Sequence, residues 1–209
     1  MIQRESVLPD KIMMTSPLQA AAPDGAAIEY PDLVLTERRD VGLLLVRGRR
    51  ENPEFAAWFE NLFGAAPPEG RASVPAGAFS IVRMGRTDYL VSGALEAVEA
   101  LSRRAEAAAE GAPCIAAEIT HGRFIVDMKG AGAVTALSKS CGLDMRAAAF
   151  PIGLGTRTRF ADSLAYVERM GADAFRLISD RSSAVFFWSW LKDAGADATH
   201  SNPAPESPR

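Results

Sequence analysis

The most constraining feature of this 209-residue sequence is that one order of predicted elements occurs twice. Residues 82–85 read VRMG and residues 168–171 read ERMG, and each tetrapeptide lies between two short apolar runs. A hairpin is predicted at both places, followed at once by a helix that begins near Ser92 in the first copy and near Ser179 in the second. Ordered internal similarity of this kind indicates a duplicated structural unit.

The first copy, about residues 33–111, is predicted to follow the order β, α, β, β, α. Residues 42–48 form a short apolar run closed by glycine, which is typical of a buried strand. A helix follows from Pro53 to the stop at Gly64, because its large apolar residues recur at helical spacing. These residues are Phe55, Trp58, Phe59 and Leu62. The hairpin strands are predicted at 79–84 and 88–91, and the second helix runs from there to Gly111.

The second copy, about residues 112–194, repeats this order. Since each copy would expose one face of a small sheet, the two copies are expected to share one core. The predicted fold class is therefore α+β, with a duplicated β-α-β-β-α unit in a single domain at 33–194. Residues 1–32 are predicted to be an N-terminal tail or arm, and residues 195–209 a disordered C-terminal tail. The predicted strands are 113–120, 123–128, 164–169 and 174–178, and the predicted helices are 133–141 and 181–194.

Composition excludes several classes of protein. The formal net charge of −3, with Lys and Arg scattered along the chain, gives no electrostatic basis for binding nucleic acid. No apolar stretch approaches the roughly 20 residues needed to cross a bilayer, so no membrane association is expected. Cys114 and Cys141 lie far apart, without the spacing of a zinc site or the density of a secreted scaffold, which favours the cytoplasm.

The sequence offers no group suited to catalysis, cofactor binding or metal binding. Residues 130–132 and 153–155 are the nearest approach to a dinucleotide-binding turn, but they lack the third glycine and are predicted to be loops. His121, followed by glycine between two strands, is better explained as a turn residue than as a general base. Cys141, at a predicted helix end, is better explained as a small apolar residue than as a nucleophile.

The last helix has two apolar faces. Ala184, Phe187, Trp188 and Leu191 form one face that should pack on the sheet, whereas Phe186 and Trp190 point away from it. Burying a large apolar side chain gains about 1.5 to 3 kcal/mol, so both faces are expected to be covered. Either a tail or loop of the same chain covers Phe186 and Trp190, or another subunit does.

Four segments carry a resemblance to a known family. They are ITHGRFIVDMKG at 119–130, SCGLD at 140–144, AFP at 149–151 and RSSAVFFWSWL at 181–191. In order and spacing they resemble the gamma subunit of heterotetrameric sarcosine oxidase, and the resemblance covers about residues 33–194. The fold of that family is similar to the folate-binding domain of the glycine cleavage T-protein, which is itself built from related α+β halves.

The resemblance implies a non-catalytic gamma subunit of an oxidoreductase complex, with alpha, beta and delta subunits as partners. Such a complex oxidatively demethylates sarcosine or a related N-methyl amine, passes the one-carbon unit to tetrahydrofolate and passes electrons to oxygen. FAD, FMN, NAD, zinc and tetrahydrofolate would then lie on the partner subunits. Two alternatives stay open at this point: a stand-alone folate-binding or one-carbon-transfer protein of T-protein-like fold, and a generic dimerising α+β domain.

Overall fold

The computed structural model describes residues 15–20, 22 and 26–200, and the duplication extends through all of its main elements. The first repeat follows the order β-β-α-β-β-β-α, and one additional strand precedes it. That strand is β1 (Ala27–Tyr30), and the repeat consists of β2 (Leu33–Glu37), β3 (Val41–Arg47), α1 (Pro53–Phe63), β4 (Val74–Ala76), β5 (Phe79–Arg83), β6 (Asp88–Ala94) and α2 (Leu95–Ala108).

The second repeat has the same order; the first repeat contains two more strands than the sequence predicted, and the second contains one more. The second repeat consists of β7 (Ile115–Glu118), β8 (Arg123–Lys129), α3 (Ala133–Ser140), β9 (Gly155–Phe160), β10 (Ser163–Gly171), β11 (Ala174–Asp180) and α4 (Ala184–His200). The strands that periodicity missed are short or polar. In β9, for example, the sequence GTRTRF has one large apolar residue, which is too weak a pattern to predict a strand.

Helix α1 illustrates how local sequence sets an element. Its N-cap Asn52 accepts hydrogen bonds from the backbone N–H groups of Glu54 and Phe55, and Pro53 occupies the first turn, where no intrahelical donor is needed. Gly64 ends the helix in the left-handed conformation at φ 70°. The predicted helix is therefore confirmed at both ends.

Two antiparallel sheets are built from the repeats, and each sheet contains one strand from the other repeat. Sheet A has the order β1-β2-β8-β11-β10-β9, and sheet B has the order β4-β5-β6-β3-β7. Strand β2 of the first repeat thus pairs with β8, and β7 of the second repeat pairs with β3. The boundary expected at 111/112 therefore does not separate the sheets, because the first strand of each repeat crosses to the opposite sheet.

The core consists of three layers of side chains. Helices α3 and α4 cover sheet A, helices α1 and α2 cover sheet B, and each helix–sheet pair encloses its own large cluster. A third, smaller cluster lies between the two sheets, which therefore pack face to face. This inter-sheet cluster is the shared core that joins the repeats, and it consists of Val41, Leu43, Val82, Leu90, Ile125, Tyr166 and Ile178. The predicted α+β fold with duplicated units is confirmed.

The structure corrects both expected tail boundaries. Residues 27–30 lie in β1, because Ile28 and Tyr30 alternate on one face and pack against the sheet A cluster. Helix α4 extends to His200, since Ala194 and Ala198 are buried and continue its inner face. Short runs with small apolar residues carry little periodic signal, which is why the sequence did not predict them. Residues 1–14 and 201–209 lie outside the described residues.

Ser92 and Ser179 were expected to begin helices, and this expectation was wrong. Ser92 lies in β6 and Ser179 lies in β11, and the helices start later, at Leu95 and Ala184. The strand ladders continue past both serines, to the pairs Val41↔Ala94 and Asp180↔Arg123. Sheet pairing thus holds these serines extended, overriding their preference for helix N-caps.

Candidate subunit-contact site

Helix α4 buries one apolar face and leaves part of a second face exposed. The predicted inner face is confirmed, because Ala184, Phe187, Trp188 and Leu191 are at most 6% exposed. Phe186 and Trp190 are 46% and 40% exposed, respectively. These two residues form the aromatic patch, and within the described chain they are the only exposed aromatic rings among the large hydrophobic residues.

The aromatic patch is held in a fixed geometry. The rings of Phe186 and Trp190 lie one helical turn apart, with centroids 6.3 Å apart and planes tilted by 39°. The indole Nε1–H of Trp190 donates to the hydroxyl of Ser140 at 3.1 Å, and that hydroxyl donates to the carbonyl of Ala136 at 3.0 Å. Ser140, the last residue of helix α3, therefore fixes the orientation of the indole.

Charged side chains lie in the apolar layer between the sheets, and the sequence analysis singled out none of them. The carboxylate of Asp127 accepts hydrogen bonds from Arg176 Nε at 2.7 Å and Nη2 at 2.9 Å. Arg38 Nη1 donates to the same carboxylate at 2.5 Å. Glu168 lies next to Arg176 in the sheet register and is also buried. These four residues form the inter-sheet charge cluster. The only sequence signal is that Asp127 and Arg176 each stand between two apolar residues of a strand.

Burial raises the pKa of Glu168 above its ordinary value of 4.5, and the charge of Asp127 acts in the same direction. Arg176 and a hydrogen bond from Ser73 oppose this shift but do not cancel it. The folded protein therefore retains a proton on Glu168 at pH values where the unfolded chain has lost it. The contribution of Glu168 to the free energy of unfolding is therefore greatest below pH 4.5 and falls as the pH rises through the raised pKa.

Glu168→Gln is accordingly expected to make the protein more stable at neutral pH and to flatten this part of the pH dependence. Gln keeps the side-chain shape and can still accept a hydrogen bond, but it has no charge to desolvate. Urea unfolding of both proteins from pH 4 to pH 8 measures the difference in slope. If the variant shows the same slope as the parent, Glu168 is not the group responsible.

A cleft of about 240 Å³ opens between the sheets at one end of the sandwich. Apolar residues of both sheets form its walls, and its mouth carries arginines that are paired with acids. Arg47 contacts Asp88 at 2.9 Å, and Arg123 contacts Asp180. Tyr166 lies deep in this cleft, and burial raises the pKa of its hydroxyl, so the phenol stays protonated at neutral pH. The cleft thus presents neither an unpaired carboxylate nor a basic phenolate.

The histidine and cysteines that were weighed as possible catalytic residues lie in different parts of the fold. His121 is exposed in a short 3-10 turn between β7 and β8, as predicted for a turn residue. Cys141 is half-buried after α3, and burial raises the pKa of its thiol, which donates to the carbonyl of Leu137 at 3.4 Å. Burial also raises the pKa of Cys114, which lies just before β7. Neither thiol is activated as a nucleophile.

No group of three or more His, Cys, Asp or Glu side chains within the described ranges is arranged to hold a metal ion. None of the described helices is long and apolar enough to span a membrane.

Two stacked sheets with exchanged strands and outer helices define a class of duplicated α+β domains. The glycine cleavage system aminomethyltransferase T from Bartonella henselae has this fold, with a TM-score of 0.65 and 15% identity over 86% of this chain. The match covers 57% of that protein's chain. A chain of the heterotetrameric sarcosine oxidase from Corynebacterium sp. U-96, solved with pyrrole 2-carboxylate, matches with a TM-score of 0.78 and 20% identity. That match covers 91% of this chain and 98% of the other. At these identities the likeness shows the fold.

The family follows from the sequence itself. The model of the sarcosine oxidase gamma subunit family matches residues 47–197, which is most of the chain, so the chain belongs to that family. No curated protein sequence matches it. The family expected from the resemblance is thereby confirmed, together with the role of a gamma subunit, and a stand-alone folate-binding protein is not favoured.

Proposed function

We propose that this gamma subunit is a non-catalytic part of a heterotetrameric complex that oxidatively demethylates sarcosine or a related N-methyl amine. In this proposal the one-carbon unit passes to tetrahydrofolate and the electrons pass to oxygen, within the cytoplasm. Family membership and the fold of the Corynebacterium enzyme support the assignment. The aromatic patch is the observation that carries it, because two large rings stay exposed on an otherwise well-packed helix.

We place the chemistry and its cofactors on the partner subunits. The most buried carboxylate of the inter-sheet charge cluster, Asp127, is bound by two guanidinium groups and is not free to hold a cofactor. Protonated thiols and a protonated Tyr166 are also poor nucleophiles and bases. FAD, FMN, NAD, zinc and tetrahydrofolate would therefore be held by the alpha, beta and delta subunits. The contribution of this chain is to bind those subunits and fix their arrangement.

The aromatic patch has the properties of a binding hot spot. Phe186 and Trp190 are adjacent, rigid and only half-exposed, so a partner can cover them with little further ordering. Tryptophan is enriched at the energetic centres of interfaces because it buries a large area and keeps one polar donor. In the proposed complex the donor of Trp190 is already satisfied by Ser140, so its ring presents mainly apolar surface.

Trp190→Ala is expected to weaken assembly of the complex by about 2 kcal/mol, which is roughly a 30-fold increase in the dissociation constant. The isolated subunit should stay folded, because the indole contacts solvent and loses a single hydrogen bond. Reconstitution with the purified partner subunits, followed by titration of complex formation, measures the effect.

Val185→Ala is the matched control, since Val185 lies beside Phe186 on the same helix and is 58% exposed. It should leave assembly unchanged. Equal effects of the two substitutions, or no effect of Trp190→Ala, would show that the aromatic patch is not the contact.

A further inference from the structure

The two sheets correspond strand by strand, and this correspondence exposes one difference between them. Strand β2 pairs with β8 in sheet A through Thr36↔Asp127 and Glu37↔Val126. Strand β7 pairs with β3 in sheet B through Ala117↔Leu45 and Glu118↔Leu44. The backbone bond after each ladder is also matched, because Arg38 N donates to Ile125 O and Ile119 N donates to Leu43 O, both at 2.9 Å. Strand β7 is therefore the equivalent of β2.

The outer edges of these equivalent strands differ. In sheet A, β1 covers β2 along its whole length, from Tyr30↔Leu33 to Ala27↔Thr36, and Glu37 N donates to Ala26 O at 2.7 Å. In sheet B, no strand of the described chain pairs with the outer edge of β7, which is the last strand of its sheet. Among the strands that the structure describes, sheet B has no counterpart of β1.

The free edge of β7 presents backbone groups of known orientation. Since Ile119 N–H points to β3, alternation along the strand points the amides of Ala117 and Ile115 the same way. The N–H and C=O groups of Ala116 and Glu118 then point outward. Unpaired edge groups of this kind are a template for an additional strand.

A large apolar side chain also remains exposed at this edge. Ile115 is 62% exposed, although it belongs to a strand of a packed sheet. Its equivalent on β2 is Val34, which lies between Lys129 on one side and Glu29 of β1 on the other. Ile115 has Arg47 on one side, and none of the described strands lies on its other side. A strand paired with this edge would therefore cover Ile115. Its residue opposite Ile115 would lie in the same row of side chains as Arg47.

We infer that the outer edge of β7 binds an extended segment of a partner subunit as an antiparallel strand, in the position that β1 occupies in sheet A. The chemistry of β1 describes the segment. It spans about four residues, and apolar side chains alternate along the face that points to the helices, like Ile28 and Tyr30 of β1. A polar or acidic residue lies opposite Ile115, just as Glu29 lies opposite Val34. This inference rests on the proposed function, because it requires a complex with partner subunits.

Hydrogen–deuterium exchange on the isolated full chain and on the reconstituted complex tests the inference. The amides of Ala116 and Glu118 should exchange rapidly in the isolated chain and at least about tenfold more slowly in the complex. The amides of β1 should change little. If no complex forms, both the proposed function and this inference fail. If a complex forms and the two amides still exchange rapidly, this inference alone fails.

The isolated chain also distinguishes other occupants. Protection of Ala116 and Glu118 that is already present without partners, and that is lost on deletion of residues 1–14, would assign the edge to the chain's own N-terminal segment. Protection that grows with chain concentration would assign it to a second copy. Either result overturns the inference.

Two substitutions add an independent test. Ala116→Pro removes an outward-pointing donor and leaves the hydrogen bonds to β3 intact, and Ile115→Lys places a charge at the edge. Each is expected to raise the dissociation constant of the complex by about tenfold. Ile152→Lys is the control, because Ile152 has the same 62% exposure but lies outside any strand. An equal effect of Ile152→Lys and Ile115→Lys would overturn the inference.

Discussion

Asp127→Ala is expected to lower the free energy of unfolding by about 3–5 kcal/mol. The substitution removes the carboxylate that binds Arg176 and Arg38, and the side chain of Arg176 is only 11% exposed. A guanidinium buried without a counter-charge loses its hydration and gains nothing in return. Denaturant unfolding monitored by tryptophan fluorescence measures the loss.

Asp40→Ala is the control for this prediction, since Asp40 also pairs with Arg38 but its side chain is 69% exposed. An exposed ion pair contributes at most about 1 kcal/mol, so this variant should be nearly as stable as the parent. A double variant, Asp127→Leu with Arg176→Met, should recover much of the stability lost in Asp127→Ala, because both members of the buried Asp127–Arg176 ion pair are then removed together. Similar losses in the Asp40 and Asp127 variants would refute the buried-charge explanation.

Gly130→Ala is expected to cost about 3 kcal/mol, the second largest effect. Gly130 has φ 127°, a conformation that side-chain-bearing residues rarely adopt, and an added Cβ would overlap the backbone carbonyl of Asp32. This carbonyl accepts a hydrogen bond from Gly132 N at 3.0 Å, so neither side can easily move. Thermal and denaturant unfolding of the variant check the expected loss.

Substitutions at two other glycines distinguish the cost of a positive φ angle from the cost of steric overlap. Gly111 has φ 76° but open space around an added Cβ, so Gly111→Ala should cost only about 1 kcal/mol. Gly122 has open space and no positive φ, and Gly122→Ala should be close to neutral. If all three substitutions cost the same, the overlap with Asp32 does not matter.

Much of the fold could be predicted because its signals are local. The apolar spacing of Phe55, Trp58 and Phe59 set helix α1, and the tetrapeptides at 82–85 and 168–171 marked two equivalent hairpins. Strands β1, β2, β4 and β9 could not be predicted in this way. They lie at or next to sheet edges, where pairing with a neighbour substitutes for a strong pattern of their own.

The candidate sites likewise include one feature that the local sequence predicts and one that only the tertiary structure shows. The two apolar faces of α4 could be read from the sequence, because a helix fixes the direction of each side chain. The inter-sheet charge cluster could not, since Asp127 and Arg176 meet only through the β8–β11 register, and Arg38 contacts Asp127 from the position just after β2. Nothing in the local sequence distinguishes these residues from exposed charges.

The sequence by itself determined the family, the duplication, the main helices and strands, and the presence of surplus aromatic residues on the last helix. Only the tertiary structure decided that β2 and β7 exchange sheets, and that β1 covers the edge of β2 whereas no described strand covers that of β7. The physical reason is that periodicity specifies which face of an element is apolar, whereas strand partners are chosen by hydrogen bonds and packing between residues far apart in the chain.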